Sequence, residues 1–189
     1  MTNQDALFES FVNVPHYILN KELKPLCLVH LIWLNHVDSP LLNTALPLEL
    51  SDLEIAALIC SSSSHEEIIE KLKPKSRFSK VKRYLWRVKN KKANLDNEVL
   101  KWLYYYSDNA ALPNYGNRKE VEEILPFFIL QIASLIKYTG WSEADVMLMP
   151  IGKACWYSSA FSYMETGKTS IMSDTESYMM NMWEEIQGN

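Results

Sequence analysis

The side chains best suited to holding a metal lie close together at Cys27, His30, His36 and Asp38. Thiolate, imidazole and carboxylate groups are the usual ligands of zinc. A spacing of three places Cys27 and His30 on one face of a helix. A metal site would need further ligands at a defined spacing, and none is visible in the sequence. We therefore expect these side chains to be satisfied in or beside a packed helix, and we expect neither a metal nor another cofactor.

A second candidate is a phosphate-binding loop at Gly167-Lys168-Thr169, which matches the end of the pattern G-x-x-x-x-G-K-[ST]. Ser162 stands where that pattern has its first glycine, and the segment before Gly167 has the spacing of a helix rather than a strand. We therefore interpret Gly167 as the residue that ends a helix, because glycine readily adopts the left-handed conformation.

Side chains for acid–base or nucleophilic catalysis do not converge in this sequence. His16 and His65 stand alone, so neither belongs to a recognisable Ser-His-Asp arrangement. The acidic pairs at 122–123 and 184–185 are adjacent in sequence, so the two members of each pair do not share one helix face. We expect these acids to form solvated helix surface, and we expect no catalytic residues and no enzymatic activity.

The strongest charged feature is the segment 71–92, which holds eleven lysines and arginines and no acid. The rest of the chain holds 8 bases and 23 acids, so the overall charge of −4 hides a strong asymmetry. Positive charges interleaved with aromatic rings can bind a phosphate backbone and stack on bases. The same surface can complement an acidic protein or an acidic part of this chain. For either partner, the candidate surface consists of Lys80, Lys82, Arg83, Trp86, Arg87 and Lys89.

Composition and periodicity favour an all-α fold. Apolar residues make up 48% of the chain and aromatic residues 12%, which is enough for a hydrophobic core. Glycine is scarce, and apolar residues recur mainly at helical spacing. We predict a compact bundle of about seven to nine helices in a single domain, 1–189. The alternative is two lobes, 1–106 and 119–189, joined by a loop at 107–118 that is rich in turn-forming residues.

The cellular compartment follows from three weaker signals. Cys27, Cys60 and Cys155 are widely spaced and odd in number, which is not the pattern of a disulfide framework. The first residues lack the basic and apolar regions of a secretory signal. The longest apolar run, near 125–136, is too short to cross a bilayer. We expect a cytoplasmic protein that is not embedded in a membrane.

Local signals predict where several helices begin. Proline is favoured at the first helical position, and a serine three residues before a glutamate forms a capping box. Aspartate also caps helices. The predicted starts are Pro25, Ser51 with Glu54, Ser64 with Glu67, Ser76, and Asp96.

The basic segment contains a predicted helix from about Ser76 to Asn90. Its apolar face is formed by Phe78, Val81, Leu85 and Val88, at spacings of three, four and three. This is the amphipathic pattern of a helix that packs on a core, with charged side chains covering the other directions.

The stretch 140–167 has the clearest helix boundaries in the sequence. Gly140 and Gly167 suit helix C-termini, Ser142 with Asp145 opens a short helix, and Pro150 separates it from a longer one. Ala154, Trp156, Tyr157 and Phe161 then follow along the longer helix.

This stretch resembles the C-terminal region of phage and prophage tail assembly chaperones. The similarity rests on Gly140-Trp141-Ser142-Glu143, then Val146, Met147 and Met149-Pro150, and then a helix with Ala154 and Tyr157. The resemblance implies a non-catalytic protein that binds the helical tape-measure protein, keeps its apolar helices from aggregating and helps to nucleate tail-tube assembly. It assigns no functional residue.

The last segment predicts an acidic, methionine-rich helix that begins at a capping box formed by Ser173 and Glu176. Methionine side chains adapt to many partners, so this helix is a candidate for docking on a helix of another chain. The candidate docking residues are Tyr178, Met179, Met182 and Trp183. Packing in the protein's own core is the alternative. The sequence as a whole predicts a protein-interaction or assembly protein, with phosphate-backbone binding through 71–92 as the alternative.

Overall fold

The computed structural model of the protein describes residues 7–8, 10–12, 14–42, 46–110 and 127–167. Within these ranges the chain forms eight helices and one two-stranded hairpin, which confirms the prediction of an all-α fold. The elements in chain order are β1 (His16–Ile18), β2 (Lys21–Leu23), α1 (Leu28–His36), α2 (Leu50–Cys60), α3 (His65–Leu72), α4 (Arg77–Asn90), α5 (Leu95–Asn109), α6 (Phe127–Thr139), α7 (Glu143–Met147) and α8 (Ile151–Thr166).

Contacts divide the chain into two compact units. The hairpin unit is Asn13–Asp108, and the C-terminal unit joins Met1–Val12 to Asn109–Asn189. The predicted arrangement, one domain or lobes at 1–106 and 119–189, stays a prediction. Of the predicted loop 107–118, Ser107 to Asn109 belong to the last turn of α5, and residues 111–118 lie outside the described residues.

The hairpin was not predicted from the sequence. β1 and β2 are antiparallel, with Ile18 paired to Lys21 across the turn. Leu19 and Asn20 form the turn at φ values of 50° and 58°. Two consecutive positive φ values match the twist of the flanking strands, as in a type I′ turn. Leu19 is fully buried, so this turn belongs to the interior of the unit.

The core of the hairpin unit is apolar and is centred on α1 and α2. The fully buried side chains include Leu28, Leu34, Leu53, Ile59 and Ile68. The helix predicted to start at Pro25 starts at Leu28 instead, with Cys27 as its N-cap residue.

Three helix starts test the predicted caps. The start predicted at Ser51 with Glu54 is wrong: α2 begins at Leu50, where Asp52 Oδ2 accepts a hydrogen bond from the Glu49 amide at 2.8 Å. Ser64 caps α3 as predicted, and its hydroxyl accepts from the Glu67 amide at 3.2 Å. At α5 the capping side chain is that of Asn94, which accepts from the Asn97 amide at 3.0 Å, and not that of Asp96.

The described helices of the C-terminal unit are α6, α7 and α8. Gly140 and Gly167 adopt φ values of 68° and 65°, which confirms their predicted place at helix C-termini. Ser142 caps α7 as predicted, and Pro150 directly precedes α8. The predicted helix with Ser173 and Glu176 lies outside the described residues. The buried apolar side chains of this unit are Ile132, Leu135, Val146, Ile151, Ala154 and Cys155.

Candidate functional site: the two faces of helix α4

Helix α4 is the basic helix predicted from the sequence, and it carries six lysines and arginines and no acid. Ser76 caps it, accepting a hydrogen bond from the Ser79 amide at 3.4 Å. Arg87 and Lys89 lie in the last turn, where positive charge is favourable beside the negative end of the helix dipole. Local chemistry therefore explains why the helix forms. Its packing follows from contacts that are distant in sequence.

One face of α4 is held to the hairpin unit by polar side chains. The indole Nε1 of Trp86 donates to the buried carbonyl of Leu19 at 3.0 Å. One turn further on, Asn90 Oδ1 accepts from Asn20 Nδ2 at 3.0 Å, while Asn90 Nδ2 donates to the Trp86 carbonyl at 2.8 Å. The bond from Trp86 satisfies the carbonyl of the buried Leu19, so removing the indole would leave that carbonyl without this partner.

Two arginines of α4 strengthen the same attachment. Arg83 Nη1 donates to the carbonyls of Leu72 and Lys71 at 2.6 and 3.2 Å, at the end of α3. Carbonyls in the last turn of a helix lack partners within that helix, so Arg83 supplies hydrogen bonds that the end of α3 would otherwise lack. Arg87 Nε lies 2.6 Å from Oε2 of the largely buried Glu54. The charge of Arg87 therefore compensates a carboxylate that would be costly to bury alone.

The opposite face of α4 is apolar and exposed. We call the four side chains Phe78, Val81, Leu85 and Val88 the apolar stripe. Their spacing of three, four and three places them on one side of the helix. Phe78 is 78% exposed, and even the least exposed member, Val88, is 52% exposed. The amphipathic pattern found in the sequence is therefore present, but the side that packs on the unit is the polar one.

The predicted candidate surface divides into three residues with partners in the hairpin unit and three exposed lysines. Arg83, Arg87 and Trp86 have hydrogen-bond or ion-pair partners within the hairpin unit. Lys80, Lys82 and Lys89 are exposed. Sequence reasoning missed the apolar stripe as a surface, because spacing identifies an apolar face without showing which way it points.

Helix α5 has a similar arrangement. Its inward side carries Trp102, Tyr105 and the carboxylate of Glu98, all buried. Glu98 Oε2 accepts from the Leu19 amide at 2.7 Å, and Glu98 Oε1 lies 2.5 Å from Lys101 Nζ. The outward side exposes Leu100, Leu103 and Tyr104. The amide and carbonyl of Leu19 are thus bound by two different helices, and both helices expose apolar side chains on the other side.

The pair of Cys27 and His30 is a buried structural contact. His30 Nε2 lies 2.9 Å from the Ser62 carbonyl, and Cys27 Sγ lies 3.3 Å from His30 Nδ1. A carbonyl only accepts, so Nε2 carries the proton and Nδ1 accepts from the thiol. Burial lowers the pKa of His30 to about 4, against an opposing contribution from the Ser62 carbonyl. Burial also raises the pKa of the Cys27 thiol to about 12.

This protonation pattern is the reverse of what catalysis by a Cys–His pair requires. A nucleophilic cysteine needs a depressed thiol pKa and an imidazole able to take up the proton. In this pair, the neutral thiol donates to a neutral imidazole at pH 7. Among the described residues there is also no group of three or more His, Cys, Asp or Glu side chains placed to hold a metal ion.

The other candidate residues from the sequence lie at or beyond the end of α8. Gly167 ends α8 in the left-handed conformation, while Lys168 and Thr169 lie outside the described residues. The candidate docking residues of the last segment, Tyr178, Met179, Met182 and Trp183, also lie outside them.

No helix in the described part of the chain combines the length and the apolar character needed to traverse a bilayer. Comparisons with protein-family models, curated proteins and solved structures yield no match.

Proposed function

We propose that the protein acts by protein–protein interaction, and that the apolar stripe of α4 is the surface that binds its partner. The observation that carries this proposal is the orientation of α4. The helix is anchored through Trp86, Arg83 and Asn90, while Phe78, Val81, Leu85 and Val88 are exposed. Fully burying an apolar side chain of this size gains about 1.5–3 kcal/mol, so covering the stripe is a substantial driving force.

The charges beside the stripe indicate the chemistry of the partner. Lys82 and Lys89 flank it on one side, and Arg77 flanks it on the other. A helix that lays an apolar face on this stripe places the residues at the edges of that face beside these cations. Acidic residues at those edges pair with them and set the orientation, whereas basic residues are repelled. The partner we propose is therefore an amphipathic helix with acidic edges.

An assembly chaperone is the kind of interaction protein that suits this surface. Such a protein covers an apolar helix of its partner until assembly provides the final contacts. The resemblance of 140–157 to phage tail assembly chaperones supports this more specific proposal, with a tape-measure-like helical protein as the partner. Its test is co-expression with products of neighbouring genes. Recovery of a complex with the wild type but not with Leu85→Ser supports it, and failure with every neighbour counts against it.

A designed peptide tests the docking surface directly. The probe is a fluorescent amphipathic helix with leucines at i, i+3, i+4 and i+7 and glutamates at the edges of that face. Its counterpart carries lysines in place of the glutamates. We expect the acidic peptide to bind the wild type and the lysine peptide not to bind. Leu85→Ser should weaken the binding at least about tenfold, a loss of about 1.4 kcal/mol.

The matched control for this titration is Leu103→Ser. Leu85 and Leu103 are 59% and 54% exposed, but Leu103 belongs to α5. The proposal requires that Leu103→Ser bind the acidic peptide as the wild type does. Equal binding of the two peptides, or equal losses in the two variants, would contradict docking on the stripe.

Nucleic-acid binding remains a second candidate because α4 carries exposed aromatic rings and exposed lysines. Tyr84 is 67% exposed on α4, which also carries Lys80, Lys82 and Lys89. A ring in this position can stack on an unpaired base. The test is gel retardation of single- and double-stranded DNA and RNA at low salt, with the three lysines changed to glutamate as the comparison. Absence of retardation by the wild type rules this function out.

A further inference from the structure

A pocket of about 170 Å³ lies within the hairpin unit, where β2 and α2 meet α3 and α4. Its apolar walls are Leu58, Pro74 and the ring of Trp86. Lys21, Lys82 and Arg83 bring positive charge to the same walls. This pocket is separate from the apolar stripe, because Arg83 and Trp86 belong to the inner face of α4.

Lys21 brings an ammonium group to this pocket. It is half-buried, and its Nζ lies 5.3 Å from the centre of the Trp86 ring. Among the described residues, no carboxylate lies within ion-pair distance of this ammonium. Lys71, which also lines the pocket, differs: its Nζ lies 2.7 Å from Glu67 Oε1 and donates to the Ser61 carbonyl at 2.8 Å.

The surroundings of Lys21 disfavour its charge in the empty pocket. Burial lowers its pKa, and the positive charges of Lys71 and Lys82 lower that pKa further, against an opposing contribution from Glu67. A half-buried ammonium group with two other cations nearby gains from a bound anion. Arg83 offers further donors, because only its Nη1 is used by the carbonyls of Lys71 and Leu72 among the described residues.

We propose that this pocket is a binding site for a small oxyanion, a carboxylate or a phosphate ester, carried on an apolar body about the size of one aromatic ring. The size follows from the volume, since a dry cavity of about 150 Å³ accommodates benzene. Lys21, Lys82 and Arg83 bind the anionic group, and Leu58, Pro74 and Trp86 contact the apolar body. The hydrogen bond from Trp86 to Leu19 fixes the indole, so this wall is formed before the ligand arrives.

Five probe compounds separate the contributions of charge and apolar contact. Benzoate and phenyl phosphate combine both features and distinguish a carboxylate source from a phosphate source. Acetate and inorganic phosphate supply the anion alone, and benzyl alcohol supplies the ring alone. Calorimetric titration at low salt should show that benzoate or phenyl phosphate binds at least about tenfold more tightly than any of the three simpler probes. Equal affinity for benzyl alcohol, or no binding of either combined probe, overturns the proposal.

Two variants and one matched control place the binding at the pocket. Lys21→Met should weaken the binding of the better probe at least about tenfold, and Lys82→Met should weaken that binding severalfold. Lys82 is exposed, so its substitution keeps the test valid if Lys21→Met does not fold. Lys89→Met is the control, because Lys89 is an exposed lysine of the same helix that does not line the pocket. Binding that all three variants retain means an adventitious ion only, and overturns the site.

The pH dependence gives a further readout. Affinity should fall as pH rises through the lowered pKa of Lys21, at a lower pH than an exposed lysine would show. Burial, Lys71 and Lys82 lower the pKa of Lys21 and Glu67 raises it, while Glu70 and Arg83 also line the pocket. Leu85→Ser should leave probe binding unchanged. This variant therefore tests probe binding at the pocket separately from peptide binding at the apolar stripe. An affinity that does not change up to the pH where exposed lysines titrate would contradict a role for Lys21.

Discussion

Helices α4 and α8 have similar lengths, 14 and 16 residues, but they pack in opposite ways. In α8 the small and apolar side chains of Ala154 and Cys155 are buried. Gln131 of α6 adds hydrogen bonds of 2.6 Å to the Ala154 carbonyl and to Ser158 Oγ. In α4 the apolar side chains point outward and polar side chains make the attachment. An apolar stripe therefore identifies an amphipathic helix but not the side of it that the protein itself covers.

The reason for the difference is the buried turn at Leu19. A buried backbone amide or carbonyl needs a hydrogen-bond partner, and this turn cannot obtain one from the two short strands. Glu98 and Trp86 supply the partners, so the sides of α5 and α4 that carry these two residues face inward. The apolar side chains on the other sides of both helices are exposed. On this account, stability depends on the inner face of α4 and partner binding depends on the outer face.

The largest contrast should appear between two leucines. Leu53 is fully buried, so Leu53→Ala should lower the free energy of unfolding by about 2–5 kcal/mol. Leu85 belongs to the apolar stripe, and Leu85→Ala should change that free energy by less than about 0.5 kcal/mol. Urea denaturation of both variants measures the difference. A loss of several kcal/mol for Leu85→Ala would show that the stripe is part of a core.

The next effect concerns the pH dependence of the buried pair on α1. The pKa of His30 falls from 6.5 to about 4 on folding, so the unfolded chain takes up a proton that the folded chain does not. Above pH 6.5 the titration of His30 does not reduce the free energy of unfolding. That free energy decreases as the pH falls from 6.5 to about 4. The total loss is about 3 kcal/mol.

Denaturation at several pH values tests this, with His30→Gln as the comparison because other acids titrate in the same range. The difference between the two proteins should shrink by about 3 kcal/mol between pH 7 and pH 4. A constant difference would show that folding does not lower the pKa of His30.

A somewhat smaller effect should follow from removing one of the groups that bind the turn. Glu98→Ala leaves the buried Leu19 amide without its partner, which should cost about 1–3 kcal/mol. Asn97→Ala, at an exposed position of the same helix, should cost less than about 0.5 kcal/mol. Thermal unfolding of the two variants measures both. Equal stability would contradict the claim that the turn determines how α5 and α4 pack.

The smallest effect should come from a glycine at a helix end. Gly140 has a φ of 68°, and a Cβ placed there would meet no atom within 4 Å. Gly140→Ala should therefore lower the free energy of unfolding by about 1 kcal/mol, because alanine tolerates the left-handed conformation less well than glycine. Gly167→Ala has the same geometry and should lose the same amount. A larger loss at Gly140 by urea denaturation would indicate a packing role that the geometry does not show.

The parts of this fold that sequence predicts well are those that local chemistry determines. Ser64, Ser76 and Ser142 cap the predicted helices, and both glycines end them, because these contacts span only a few residues. At α2 the capping box is formed by Glu49 and Asp52, two residues before the predicted pair of Ser51 and Glu54.

The parts that sequence did not predict depend on distant contacts. The orientation of α4 follows from the bond between Trp86 and Leu19, 67 residues apart. The lysine-lined pocket needs Lys21 and Lys82 in one place, and neither residue has a local signal that connects it to the other. The apolar stripe itself was visible in the sequence. Only its direction required the structure.

The central claim is that the outer face of α4 binds a partner helix. Its most direct test is a heteronuclear NMR titration of the labelled protein with the acidic amphipathic peptide, which reports binding residue by residue. The account predicts that the largest amide shifts fall within Arg77–Asn90 and disappear in Leu85→Ser. Shifts concentrated in α5 or in the C-terminal unit, or shifts in α4 that persist in Leu85→Ser, would contradict it.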